Sequence, residues 1–123
     1  MKAISIRQPW AWLIINAGKD IENRSWPTRF RGRVMVHAAQ GMTRQEYVDV
    51  EQFLATQHGG RILLPPADEL ARGGILGSVE IVDCVSESSS PWFFGPYGFV
   101  LRNPAPLPFA PLRGRLGFFE VPA

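Results

Sequence analysis

The segment Ile75–Val85 is the clearest strand in this chain, and a carboxylate, Glu80, stands near its centre. Every other apolar stretch is as short or shorter, and none approaches the ~20 residues that span a bilayer. A core must therefore be assembled from short pieces folded back on one another. The 123 residues suffice for one domain, 1–123, and 46% hydrophobic with 20% charged residues argues against disorder. Cys84 is the only cysteine, which excludes an internal disulfide and a cysteine-based zinc cluster. Neither a metal nor a cofactor is expected, because no Gly-rich phosphate loop, nucleophile elbow or metal-ligand spacing is present. The first residues, Met1–Ser5, hold no long apolar stretch with a small-residue cleavage site. A cytoplasmic protein with no membrane contact is the expectation.

Alternation and turn chemistry set the order of elements. Lys2–Ile6 reads as a strand. Pro9 suits the first position of a helix carrying Trp10, Leu13, Ile14 and Ala17 at helical spacing, with Gly18 as its stop. Asp20–Trp26 reads as a strand with Glu22, Arg24 and Trp26 on one face and Ile21, Asn23 and Ser25 on the other. A turn at 27–31 leads to a strand over Arg33–Ala38. Thr43-Arg44-Gln45-Glu46 is a capping box, so a helix is expected from Arg44 to His58, buried through Tyr47, Val50 and Leu54 and ended by Gly59-Gly60. A helical turn over Pro66–Ala71 precedes Ile75–Val85, and short strands are expected near Phe99–Arg102 and Phe118–Val121. Five or six short mixed strands with two or three helices make an α+β fold, a small curled sheet or β-barrel.

Charge is unevenly spread. Residues 1–40 carry seven basic and two acidic groups, residues 41–90 three and eight, and residues 91–123 three and one, summing to +2. Eleven of the thirteen cations are arginine, whose planar fork binds phosphate at two points and stacks on rings. Arg29, Arg31 and Arg33 alternate and form a candidate phosphate stripe, or a solvated face. Glu22 and Arg24 share a strand face beside Trp26, and Lys19 stands at the preceding turn. They line a groove together, or they belong to a solvated edge strand. Glu80 is either a buried carboxylate with Lys19 nearby, suited to proton transfer, or a side chain that shares Ser78's parity and meets water. Among the rings of 92–99, Tyr97 is flanked by Pro96 and Gly98 and is expected at a rim, where it can stack on a base. His37 and His58 show no ligand spacing and read as satisfied histidines.

The segments Ser5-Ile6-Arg7-Gln8-Pro9-Trp10-Ala11, Gly18-Lys19 with Glu22-Asn23-Arg24-Ser25-Trp26, and Arg113–Phe119 occur in this order. Together they resemble the ASCH domain family, the activating-signal-cointegrator homology domain. The resemblance runs over nearly the whole chain and implies a PUA-like β-barrel. It also implies a cleft for nucleic acid or a nucleotide around Lys19, Glu22 and Arg24, with Gln8 and Trp26 at its edges. Some small members resemble amidohydrolases of N4-acetylcytidine, and that likeness assigns roles to Lys19 and Glu80. Glu22 occupies the place of their threonine, which removes a hydroxyl and argues against that activity.

Three functions follow as expectations. The first is a module for RNA or single-stranded nucleic acid, or a nucleoside-sized ligand, with Arg24, Arg29, Arg31 and Arg33 on phosphates. The second is a hydrolase of a modified nucleoside or RNA, in which Lys19, Glu22 and Glu80 are catalytic. The third is a coactivator-type domain with a protein partner.

Overall fold

The computed structural model describes residues 1–122. Its elements are β1 (Lys2–Ile6), α1 (Trp10–Asn16), β2 (Ile21–Arg24), β3 (Gly32–Ala38), α2 (Arg44–Gln57), β4 (Gly74–Val85), β5 (Tyr97–Pro111) and β6 (Phe118–Glu120), with a 3-10 turn over Ala67–Glu69. The six strands form one sheet in the order β2-β5-β4-β3-β1-β6. Only β1 and β3 run parallel, and a parallel pair needs a crossover, which the chain through α1 and β2 supplies. The result is an α+β half-barrel with two helices.

The core is the concave side of this sheet filled by α1. Ala11, Ile14 and Ile15 of the helix meet Ile4, Ile6, Val34, Val36, Val79 and Ile81 of the strands. Gly77 permits the approach: a Cβ there would lie 2.6 Å from the Ile15 side chain. Aromatic rings bridge the opening of the half-barrel. Phe118 of β6 stacks on Phe99 of β5 at 6.1 Å and meets Trp26 and Phe30 at 5.6 and 5.5 Å. Strands distant in the sheet order are thereby joined across its concave face.

Several elements lie where local chemistry placed them. Pro9 caps α1, one position earlier than expected, and Gly18 follows the helix with φ +77°. Thr43 and Glu46 form the capping box of α2, which ends one residue early, at Gln57, before Gly59 and Gly60 with φ of +58° and +72°. Val50 and Leu54 are buried, while Tyr47 is half-buried and donates its hydroxyl to the Pro65 carbonyl at 2.6 Å.

The expected strand at Phe99–Arg102 is instead the fifteen-residue β5, which crosses three prolines at alternate positions, Pro104, Pro106 and Pro108. Beyond Val100, β5 no longer pairs with β2. One edge is therefore free there, and the missing N–H groups of alternating prolines cost no ladder bonds on such an edge.

Phe99 is fully buried beneath the ring cluster. Phe99→Ala is expected to lower unfolding free energy by about 3–5 kcal/mol, read as a lower urea midpoint at unchanged slope. A loss below ~1 kcal/mol would contradict a closing role for these rings.

Candidate functional site

The turn after α1 aims a lysine inward. The Lys19 backbone N–H donates to the Leu13 carbonyl at 3.2 Å, and its side chain runs back under the helix, leaving the residue 4% exposed. The ammonium donates to the Ile21 carbonyl, lies 3.8 Å from Glu22 Oε1 and 5.4 Å from the Trp10 ring centre. Burial pushes the Lys19 pKa below its ordinary 10.5, against the opposing pull of Glu22 and Asp20, while Arg24 pushes the same way as burial. Glu22 is itself 8% exposed, and its Oε2 accepts from Arg24 Nε at 2.9 Å. Arg24 also donates through Nη2 to the Ser5 carbonyl of β1 at 2.8 Å and stands 6.0 Å from the Trp26 ring centre. Two cations and one carboxylate thus form a row from the buried lysine to the edge of β1.

That row borders a cavity of about 410 Å³ ringed by Trp10, Trp26, Phe94 and Arg7. Phe94 stands at its lip, 55% exposed, and Asn23 holds the backbone that carries it. The Asn23 Oδ1 accepts from the N–H groups of Phe94 and Gly95 at 2.8 and 3.1 Å, and its Nδ2 donates to the Trp92 carbonyl at 3.0 Å. Arg7 reaches the opening from the end of β1, clamped on Glu46 by two 2.6 Å hydrogen bonds. That guanidinium holds the Glu46 carboxyl down at a pKa of about 2.

A second cavity, of about 750 Å³, shares Ser5, Arg7 and Arg24 with the first and continues to His37, Arg113 and Arg115. His37 is buried there between two partners. Its Nε2 lies 2.6 Å from the Leu112 carbonyl, which can only accept, so Nε2 carries the proton. Its Nδ1 then accepts from the Ser5 hydroxyl at 2.9 Å.

Of the residues singled out by sequence, Lys19, Glu22, Arg24 and Trp26 come together at the smaller cavity. Trp26 lies beyond the end of β2 and is half-buried among core rings. Gln8 does not line either cavity. It is buried, accepting from the Trp12 N–H at 2.9 Å and donating to the Ala71 carbonyl at 2.8 Å. Tyr97 sits in the ladder opposite Arg24, and the ring at the rim is Phe94.

Glu80 is not beside Lys19. It accepts from Asn103 Nδ2 at 2.9 Å and faces Arg33 at 3.5 Å across the β3–β4 ladder. Nor do the three alternating arginines form a free stripe. Arg33 is taken up by Ser78, Glu80 and Asn103, Arg31 lies 3.6 Å from Asp83, and exposed Arg29 does not line either cavity. His37 is satisfied, whereas His58 stacks on Trp92 at 4.3 Å with its Nε2 buried and unpartnered among the described residues. Arg7, Arg113 and Arg115 were within the family-like segments but carry no local signal for a cavity. Their convergence depends on the β1, β3 and C-terminal backbones meeting.

A family profile described as the ASCH domain matches residues 4–99. The human protein activating signal cointegrator 1 is 30% identical over 110 residues, covering 82% of this chain and 19% of that protein. Its mouse counterpart is 34% identical over 86 residues, covering 68% of this chain and 14% of that protein. The chain thus spans less than a fifth of the length of the curated relatives it matches.

The buried lysine has a signature in stability. Between its lowered native pKa and 10.5, the unfolded chain binds the proton more tightly than the native one, so stability rises with pH through that window. Wild type is expected to gain unfolding free energy relative to Lys19→Met as pH climbs from neutral toward 10.5, measured by urea melts. Parallel curves would show that burial does not tune this group.

Proposed function

The chain belongs to the ASCH domain family, and we propose that it binds single-stranded nucleic acid, RNA foremost, with one base in the smaller cavity. The observation that carries this reading is the meeting, across one opening, of an exposed ring and a row of charged donors and an acceptor. An unstacked base needs a flat apolar partner and a polar edge to recognise it. Phe94, its backbone fixed by Asn23, supplies the flat surface, and Trp26 lines the same cavity. Glu22 accepts from an exocyclic amine, while Lys19 and Arg24 donate to ring nitrogen or carbonyl oxygen. Arg7 stands where the backbone leaves the cavity and meets a phosphate.

A second reading, a hydrolase acting on a modified nucleoside, draws on the depressed Lys19 pKa. A lysine more easily deprotonated beside a carboxylate can take a proton from water. Turnover of N4-acetylcytidine abolished by Lys19→Met would bring that reading forward. The name of the relatives, activating signal cointegrator 1, makes a protein partner a third reading.

Anisotropy of a labelled single-stranded RNA, titrated at several salt concentrations, tests the binding reading. About four phosphate contacts give a logarithmic salt slope near −3, and Arg7→Ala is expected to flatten it by about 0.7. Phe94→Ala is expected to weaken affinity by about 1–3 kcal/mol. Flat anisotropy at low salt would sink the proposal.

A further inference from the structure

The larger cavity has a charge balance that base recognition does not require. Four arginines line it, Arg7, Arg24, Arg113 and Arg115, and none of its lining residues is acidic. Arg113 and Arg115 also border a neighbouring cavity of about 440 Å³ with Glu120, whose carboxylate is held by the Met1 amine and Lys2. Arg7 shares an ion pair with Glu46 outside the cavity, and Arg24 one with Glu22. Among the described residues Arg113 and Arg115 have no carboxylate partner, although Arg31 and Arg33 on the sheet each have one. Two positive charges without an ion-pair partner among the described residues therefore border a concave space, where low-dielectric walls focus the field.

The loop that carries these two arginines is held at its base while its guanidiniums stay exposed. The Leu112 N–H donates to the Gly73 carbonyl at 3.1 Å, and the Leu112 carbonyl accepts from His37. Gly114, between the arginines, lies directly on the Ser5–His37 pair: a Cβ there would come within 2.6 Å of His37 Cε1 and 3.1 Å of Ser5 Oγ. Gly117, with φ +63°, turns the chain into β6. An anchored backbone loses less freedom on binding than a loose one, so the two side chains are presented to a ligand at fixed roots.

We propose that this cavity binds a phosphate group of a nucleotide, with Arg113 and Arg115 as its principal ligands and Arg24 at the junction with the base cavity. The volume of about 750 Å³ exceeds what one phosphate needs and accommodates the neighbouring sugar as well. Because the two cavities share Ser5, Arg7 and Arg24, one ligand spans both. The preferred ligand is then a phosphorylated nucleotide or strand rather than a free nucleoside. The inference rests on the base-binding reading for its geometry but not for its charge argument.

Inorganic phosphate, titrated into the isotope-labelled chain with the arginine Nε–H signals observed, is the direct probe. Arg113 and Arg115 signals are expected to move together, and the Arg113→Gln/Arg115→Gln variant to lose about tenfold or more in affinity with an unchanged backbone amide spectrum. Equal affinity in wild type and variant, or no movement at ~20 mM phosphate, would overturn the proposal. Single-stranded RNA with and without a 5′-phosphate separates the two sources. A preference for the phosphorylated strand that the double variant abolishes assigns a strand end. Equal binding of both strands, weakened in the variant, assigns an internal phosphodiester. If the double variant loses RNA affinity while Phe94→Ala keeps it, the phosphate pocket stands and the base cavity falls. The converse pattern removes the pocket and leaves the base cavity.

Discussion

The Glu22 carboxylate, held between the Lys19 ammonium and the Arg24 guanidinium, is the interaction on which both the barrel and its cleft depend. Lys19 is almost wholly buried, and an ammonium without a counter-ion in such a place costs several kcal/mol. Glu22 supplies that counter-ion and orients Arg24, whose Nη2 donates to the Ser5 carbonyl. β2 and β1 are far apart in the sheet order, so this single guanidinium ties the two flanks of the half-barrel together. Closure of the half-barrel and the polar edge of the smaller cavity are therefore built from the same three side chains. A change that relieved the electrostatic cost by removing the charges would also remove the polar edge of the cavity.

The apolar counterpart of that tie is the ring cluster of Phe99, Phe118 and Trp26. Trp26 belongs to both systems, packed edge-on against Phe99 and Phe118 while facing Arg24. Core packing therefore leaves this ring little freedom of its own. Phe94 is different in kind. It is exposed, with its backbone held by Asn23 and its ring edge-on to Phe53 and Trp10 at 5.3 and 5.9 Å. The cavity thus has one wall set by the core and one set jointly by Asn23 of β2 and the edge-on contacts of Phe94 with Trp10 and Phe53.

How much of this was legible in the sequence depended on whether the cause was local. The capping box at Thr43, the glycine stops after both helices and the alternation of Ile75–Val85 are short-range signals, and each element stands within a residue or so of where they put it. β5 was not legible as a long strand, because its prolines are tolerated only on an edge left free, and that edge exists only once β2 stops at Arg24. The grouping of Lys19, Glu22 and Arg24 was visible, since they fall within six residues and two share strand parity. Glu80, Gln8 and Tyr97 were not separable from them, because a polar residue in apolar surroundings reads the same whether its partner is a ligand, a backbone carbonyl or an arginine on the next strand.

The arginines show the same limit from the other side. Arg29, Arg31 and Arg33 make the more conspicuous pattern in the sequence, yet Arg31 and Arg33 are paired with carboxylates of β4. Arg113 and Arg115 also alternate around a glycine, but their loop lies on the Ser5–His37 pair, and Glu120, which borders a cavity with them, is already held by the Met1 amine and Lys2. What distinguishes an arginine available to an anion from one already satisfied is therefore the neighbour that the fold supplies. In this chain β4 supplies acids to Arg31 and Arg33, whereas the C-terminal loop packs on a serine and a histidine at the edge of the cleft. The positive charge that remains stands beside Arg24, which already joins the two cavities.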